Sequence, residues 1–124
     1  GTAKAVASHD YSIRSARMSD KKLLELAAKA AGITWTREYK DGDMIVMMPF
    51  TRTWNPLTDD GDALRLAVKL GLFVDAYGTM TTVGRVVNPF SMAVVTLEEK
   101  HGTDPYAATR RAIVRESAEI GKRL

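Results

Sequence analysis

Residues 58–74, TDDGDALRLAVKLGLFV, decide the fold class. Three carboxylates, Asp59, Asp60 and Asp62, open a run in which Ala63, Leu64, Leu66, Ala67, Val68 and Leu70 recur at helical spacing. Negative charge complements the unpaired amides and the positive dipole end of a first helical turn. The spacing predicts a helix opening at Thr58 with those apolar residues on its core face. Gly71 supplies the left-handed residue that stops it. Leu72-Phe73-Val74 follows at once as a short strand.

The same punctuation recurs on either side. Ser19 stands as cap before Asp20, Met18 can staple onto Leu23, and Leu23, Leu24, Leu26, Ala27, Ala30 and Ala31 give a broad apolar face. Gly32 with Ile33 behind it is the stop. Trp35–Tyr39 reads as a strand and Lys40–Asp43 as a turn. Met44–Met48 is apolar throughout, which predicts a strand covered on both faces and ended by Pro49. Thr51–Leu57 reads as a loop. Beyond Val74 come a turn at Tyr77-Gly78, a strand over Met80–Val87 with a weak point at Gly84, a turn at Asn88-Pro89 and a strand over Phe90–Leu97. The last helix takes Asp104 as cap and Pro105 as first residue, runs to about Lys122, and is expected to bury Tyr106, Ala112, Ile113 and Ile120, with Leu124 on the same side. This order predicts an α+β fold: a mostly antiparallel sheet of about four strands packed with three helices in layers.

The 124 residues suit one domain, and 45% apolar with 27% charged residues is ordinary for a globular chain. Residues 18–124 are expected to form that domain, with 1–17 a disordered or expression-derived leader lacking periodicity. No apolar run approaches the ~20 residues of a membrane span, and no signal-peptide core follows Lys4. The expected location is cytoplasmic. Cysteine is absent, which excludes disulfides, thiol nucleophiles and thiolate zinc sites. The formal charge is +3, but residues 1–17 hold three basic residues against one acidic, so 18–124 is nearly balanced. Bulk basicity therefore argues little for nucleic acid.

Motifs of catalysis are missing from the pattern. His9 and His101 lack partners at metal-ligand spacing, and there is no nucleophile elbow, Walker loop or dinucleotide glycine set. Asp59-Asp60-Gly61-Asp62 fails as a calcium loop, because counting from Gly61 puts Pro56 and Ala67 where oxygen ligands belong. The residues of binding interest are the Trp54-Asn55-Pro56 loop with nearby Asp60, and the basic face of the last helix. Trp54 before a helix start can anchor a partner or cap the core edge. Arg111 and Arg115, with Lys122, share about one helical face that could meet phosphates, although Glu119 is placed to pair with Arg115. The first helix, the Met-rich strand and the Phe90 strand are generous for so small a core, which leaves a homodimer open.

The stretches Trp54–Leu64, Lys69–Val74 and Asp104–Val114 resemble small prophage-encoded proteins of the phage ABA-sandwich family, with NinX-like proteins as looser relatives. The resemblance covers roughly residues 50–118. It implies a layered sheet-and-helix fold and a phage or prophage origin, and carries no catalytic residue, cofactor or metal ligand across. The resulting expectation is a non-enzymatic accessory protein that binds a host or phage protein through the Trp54 loop and nearby helix ends. The alternative is a nucleic-acid-binding module using the last helix.

Overall fold

Capping chemistry fixes the helix ends. The computed structural model describes residues 18–33, 35–40, 43–46 and 52–124, with the backbone alone for 35–40, 43–46 and Arg52. Helix α1 spans Asp20–Ala30, and the Ser19 hydroxyl accepts from the Lys22 amide at 3.1 Å. At its end Ile33 N–H donates to Ala28 and Gly32 N–H to Lys29, a Schellman closure with Gly32 at φ 68°. Strands β1 (Trp35–Lys40), β2 (Asp43–Val46) and β3 (Arg52–Trp54) follow, then helix α2 (Asp60–Leu70). Helix α2 opens at Asp60 rather than Thr58, and Asp59 caps it: the Asp59 carboxylate accepts from the Asp62 amide at 2.8 Å. The same Schellman closure recurs at Gly71-Leu72. Strands β4 (Phe73–Tyr77), β5 (Met80–Asn88) and β6 (Ala93–Lys100) lead to helix α3 (Pro105–Lys122), capped by Asp104 through the Tyr106 and Ala107 amides.

The fold is α+β and the pairing antiparallel throughout the described strands. The strand count differs from the expected four in one sheet. There are two three-stranded sheets, ordered β1-β2-β3 and β4-β5-β6. The difference lies in Arg52–Trp54, which turn signals on both sides mark as loop. It pairs with β2, Met44 opposite Trp54, and closes a separate sheet. The last strand also begins at Ala93 rather than Phe90. Asn88 Oδ1 accepts from the Phe90 and Ser91 amides, and this local turn holds those residues out of the ladder. The expected burial of Met44–Met48 on both faces lies outside the described side chains, as the leader 1–17 lies outside the described residues.

Helix α3 is the centre of the packing. One flank lies on the β4-β5-β6 sheet; α1 and α2 pack against the rest. A single apolar cluster joins Leu23, Leu24, Ala27 and Ala28 of α1, Trp54, Ala63 and Leu66 of α2, Val83 of β5, and Ala112, Ile113 and Val114 of α3. Helices α1 and α3 approach closely, and Gly121 lies directly against the Leu26 carbonyl. Two expectations about burial fail. Leu64 and Val68 of α2 are 64% and 71% exposed, and of the residues expected on the buried side of the last helix Tyr106 is 71% and Leu124 66% exposed. The apolar stripe of α2 is wider than its covered flank, and Tyr106 lies in the first turn of α3, so Leu64, Val68 and Tyr106 stay in solvent.

A buried ion pair crosses from β5 to α3. Arg85 Nε donates to Glu116 Oε2 at 2.7 Å, and the Glu116 carboxylate is almost fully buried. Burial pushes its pKa above the ordinary 4.5, against the pull of the Arg85 hydrogen bond and charge. The folded chain therefore holds that proton more tightly than the unfolded chain does. Its contribution to stability falls as pH rises from about 4.5 through the raised value. Glu116→Gln should remove this slope: in urea unfolding, the stability of the variant relative to wild type improves steadily as pH climbs through that window. A difference independent of pH would show that Glu116 does not titrate there.

Candidate functional site

The Trp54 loop is an internal support. Trp54 is 3% exposed and belongs to the core, and Asn55 is buried behind it. The Asn55 amide donates to Asp62 Oδ2 at 3.0 Å, its side-chain oxygen accepts from the Leu57 amide at 2.9 Å, and its carbonyl accepts from the amides of Thr58 and Asp59. Asn55 thus ties the chain entering α2 to a carboxylate of the first turn. The acidic cluster is divided among separate tasks. Asp59 caps, Asp62 receives Asn55 and Arg65, and Asp60 meets Arg110 Nη1 at 2.6 Å. No group of His, Asp or Glu among the described residues is arranged to hold a metal ion.

The basic face of α3 is taken up within the fold. Arg111 Nη2 lies 3.0 Å from Asp20 of α1, and Arg115 Nη1 lies 2.7 Å from Glu99 of β6. Lys122 pairs with Glu119 at 3.2 Å, the carboxylate expected opposite Arg115. The nearest partner of Arg115 thus comes from the sheet, a long-range contact that helical spacing could not reveal.

Of the residues foreseen in the sequence as binding sites, Asp60 borders a cavity. A groove of about 360 Å³ runs between α2, β4 and α3. Its walls are Ala63 and Leu64 of α2, Val74 and Ala76 of β4, and Tyr106 and Ile113 of α3, with Asp60 and Arg110 at the rim. Arg110 is fixed there twice, since its Nε also donates to the Leu57 carbonyl at 2.8 Å. The pair therefore closes one side of the groove without filling it. Side chains Ala63 and Ala76 are small, which gives the groove its depth. Leu64, Val74 and Tyr106 stay exposed at its mouth. In the sequence Leu64 and Tyr106 look like core residues. The signal that distinguishes them is the excess of apolar positions on α2 beyond what one covered flank needs.

Two further features lie near. Thr109, on the groove wall, bonds through its hydroxyl to Thr81 Oγ1 at 2.7 Å, which meets His101 Nε2 at 2.8 Å. This chain of hydroxyls satisfies the fully buried Thr81 and ties the start of α3 to the sheet. The β5–β6 turn presents Phe90 at 96% exposure and Met92 at 64%, flanked by exposed Val86 and Val94. It forms a second apolar patch, convex where the first is concave.

No helix among the described residues is long and apolar enough to cross a membrane. Comparison with family models, with curated proteins and with solved structures gives no match.

Proposed function

We propose that this chain is a protein-binding module that receives an apolar segment of a partner in the groove between α2, β4 and α3. The observation that carries the reading is the exposure of Leu64 and Tyr106 at the mouth of a concave apolar site. Concave apolar sites with a few fixed polar groups at the rim are where ligands and partner side chains are held. Aromatic residues such as Tyr106 are favoured anchors. The resemblance over residues 50–118 suggests the setting, a phage or prophage accessory protein acting on a host or phage protein. Nucleic acid is the weaker reading, because Arg111 and Arg115 already face carboxylates in the fold.

The test uses peptides selected from a random library on the immobilised protein. Leu64→Asp puts a charge at the groove mouth on an exposed position, so it should alter stability by no more than about 0.5 kcal/mol. It should weaken the selected peptides by more than about tenfold. Phe90→Ser should leave them unchanged. Loss of binding in Phe90→Ser with Leu64→Asp unaffected would move the site to the β5–β6 turn.

A further inference from the structure

Strand β4 has one paired and one open edge. It pairs with β5 alone among the described strands. The two-residue turn Gly78-Thr79 closes on the pair Tyr77 and Met80, with Gly78 at a positive φ of 52°. In an antiparallel hairpin, residues alternate between hydrogen-bonded and non-hydrogen-bonded pairs from that closing pair outward. Tyr77, Asp75 and Phe73 therefore spend their N–H and C=O groups on β5. Those of Val74 and Ala76 point to the open edge. Val74 and Ala76 are also the two β4 residues whose side chains wall the groove. The open hydrogen-bonding row and the apolar cavity thus lie along the same two residues.

We propose that the partner segment is extended, and that it adds as a strand to β4 while dropping every second side chain into the groove. This rests on the groove reading given above. A helix laid in the groove would leave the Val74 and Ala76 groups facing apolar surface unpaired, which costs free energy; a strand satisfies them. The sheet's two edges differ in a way that favours β4. The β6 edge carries Glu98, Glu99 and Lys100, charges of the kind that discourage strand addition. The β4 strand carries only Asp75. At the start of α2, Asp59 and Asp60 are well exposed but already paired, Asp59 with Arg65 at 3.8 Å and Asp60 with Arg110 at 2.6 Å. The occupant that fits is a short extended segment of a partner with apolar residues at alternate positions, its backbone pairing with Val74 and Ala76.

The probe is a random octapeptide library, and the readout is amide hydrogen exchange of the full chain with a selected peptide. Val74 and Ala76 amides should exchange rapidly in the free protein and slow by more than about tenfold when the peptide is bound. Ala76→Pro removes an amide that β5 does not use, so the sheet should persist while the peptide weakens by more than about tenfold. Peptides that bind and respond to Leu64→Asp, yet leave both amides unprotected, would overturn strand addition and keep the groove. Peptides whose binding ignores Leu64→Asp would overturn both. The exchange measurement on wild type stands even if the proline variant does not fold.

Discussion

Trp54→Ala should lower stability by about 3–5 kcal/mol, read as a fall in the urea midpoint at unchanged slope. The side chain is 3% exposed and sits in the same cluster as Leu66 and Val83. Truncation removes the transfer energy of the indole and leaves a cavity that the surrounding helices cannot wholly close. The loss extends further, because the residue after Trp54 carries the hydrogen bonds that set the start of α2. Trp54→Phe should recover much of the loss. The sequence offers another role, a surface anchor for a partner, and the two separate cleanly. A surface anchor would give Trp54→Ala normal stability, within about 0.5 kcal/mol, and lost binding.

Gly121→Ala should cost about 3 kcal/mol, against the usual sign for this exchange. In an exposed helix interior, alanine in place of glycine stabilises by up to about 1 kcal/mol. Here an added methyl would run into the Leu26 carbonyl of α1, and the obstacle is backbone, which cannot rotate aside. The helices would have to separate at this close approach, loosening the core around it. Lys122→Ala, one residue on and exposed, is the control and should be near neutral. A stabilising Gly121→Ala would show that α1 and α3 do not approach this closely.

Local signals in the sequence carry much of this fold. Ser19 and Asp104 cap as their positions suggest, Pro105 opens α3, and Gly32 and Gly71 stop helices with an apolar follower. Each is settled within a turn of the chain, so short-range chemistry suffices. Strand partnership is long-range and escapes it. Nothing in Arg52-Thr53-Trp54 announces that it will pair with β2 rather than remain a loop, and so the second sheet is missed. Burial on α2 and α3 depends on which flank meets a neighbour, and so Leu64, Val68 and Tyr106 read as core. Those same misplacements mark the candidate site. Of its residues only Asp60 is legible in the sequence, through its place in the first turn of α2. Arg110, which faces it, comes from fifty residues away. The partners of Arg111 and Arg115 are likewise distant, in α1 and β6.

Receipt of a partner's apolar segment by the α2–β4–α3 groove is a proposal about where a bound peptide lies. It is tested most directly by titrating an isotopically labelled full chain with a library-selected peptide and following every backbone amide by NMR. The largest shifts should cluster at Ala63, Leu64, Val74, Ala76, Tyr106 and Ile113. Shifts centred on Val86–Val95, or on Arg111 and Arg115, would contradict it.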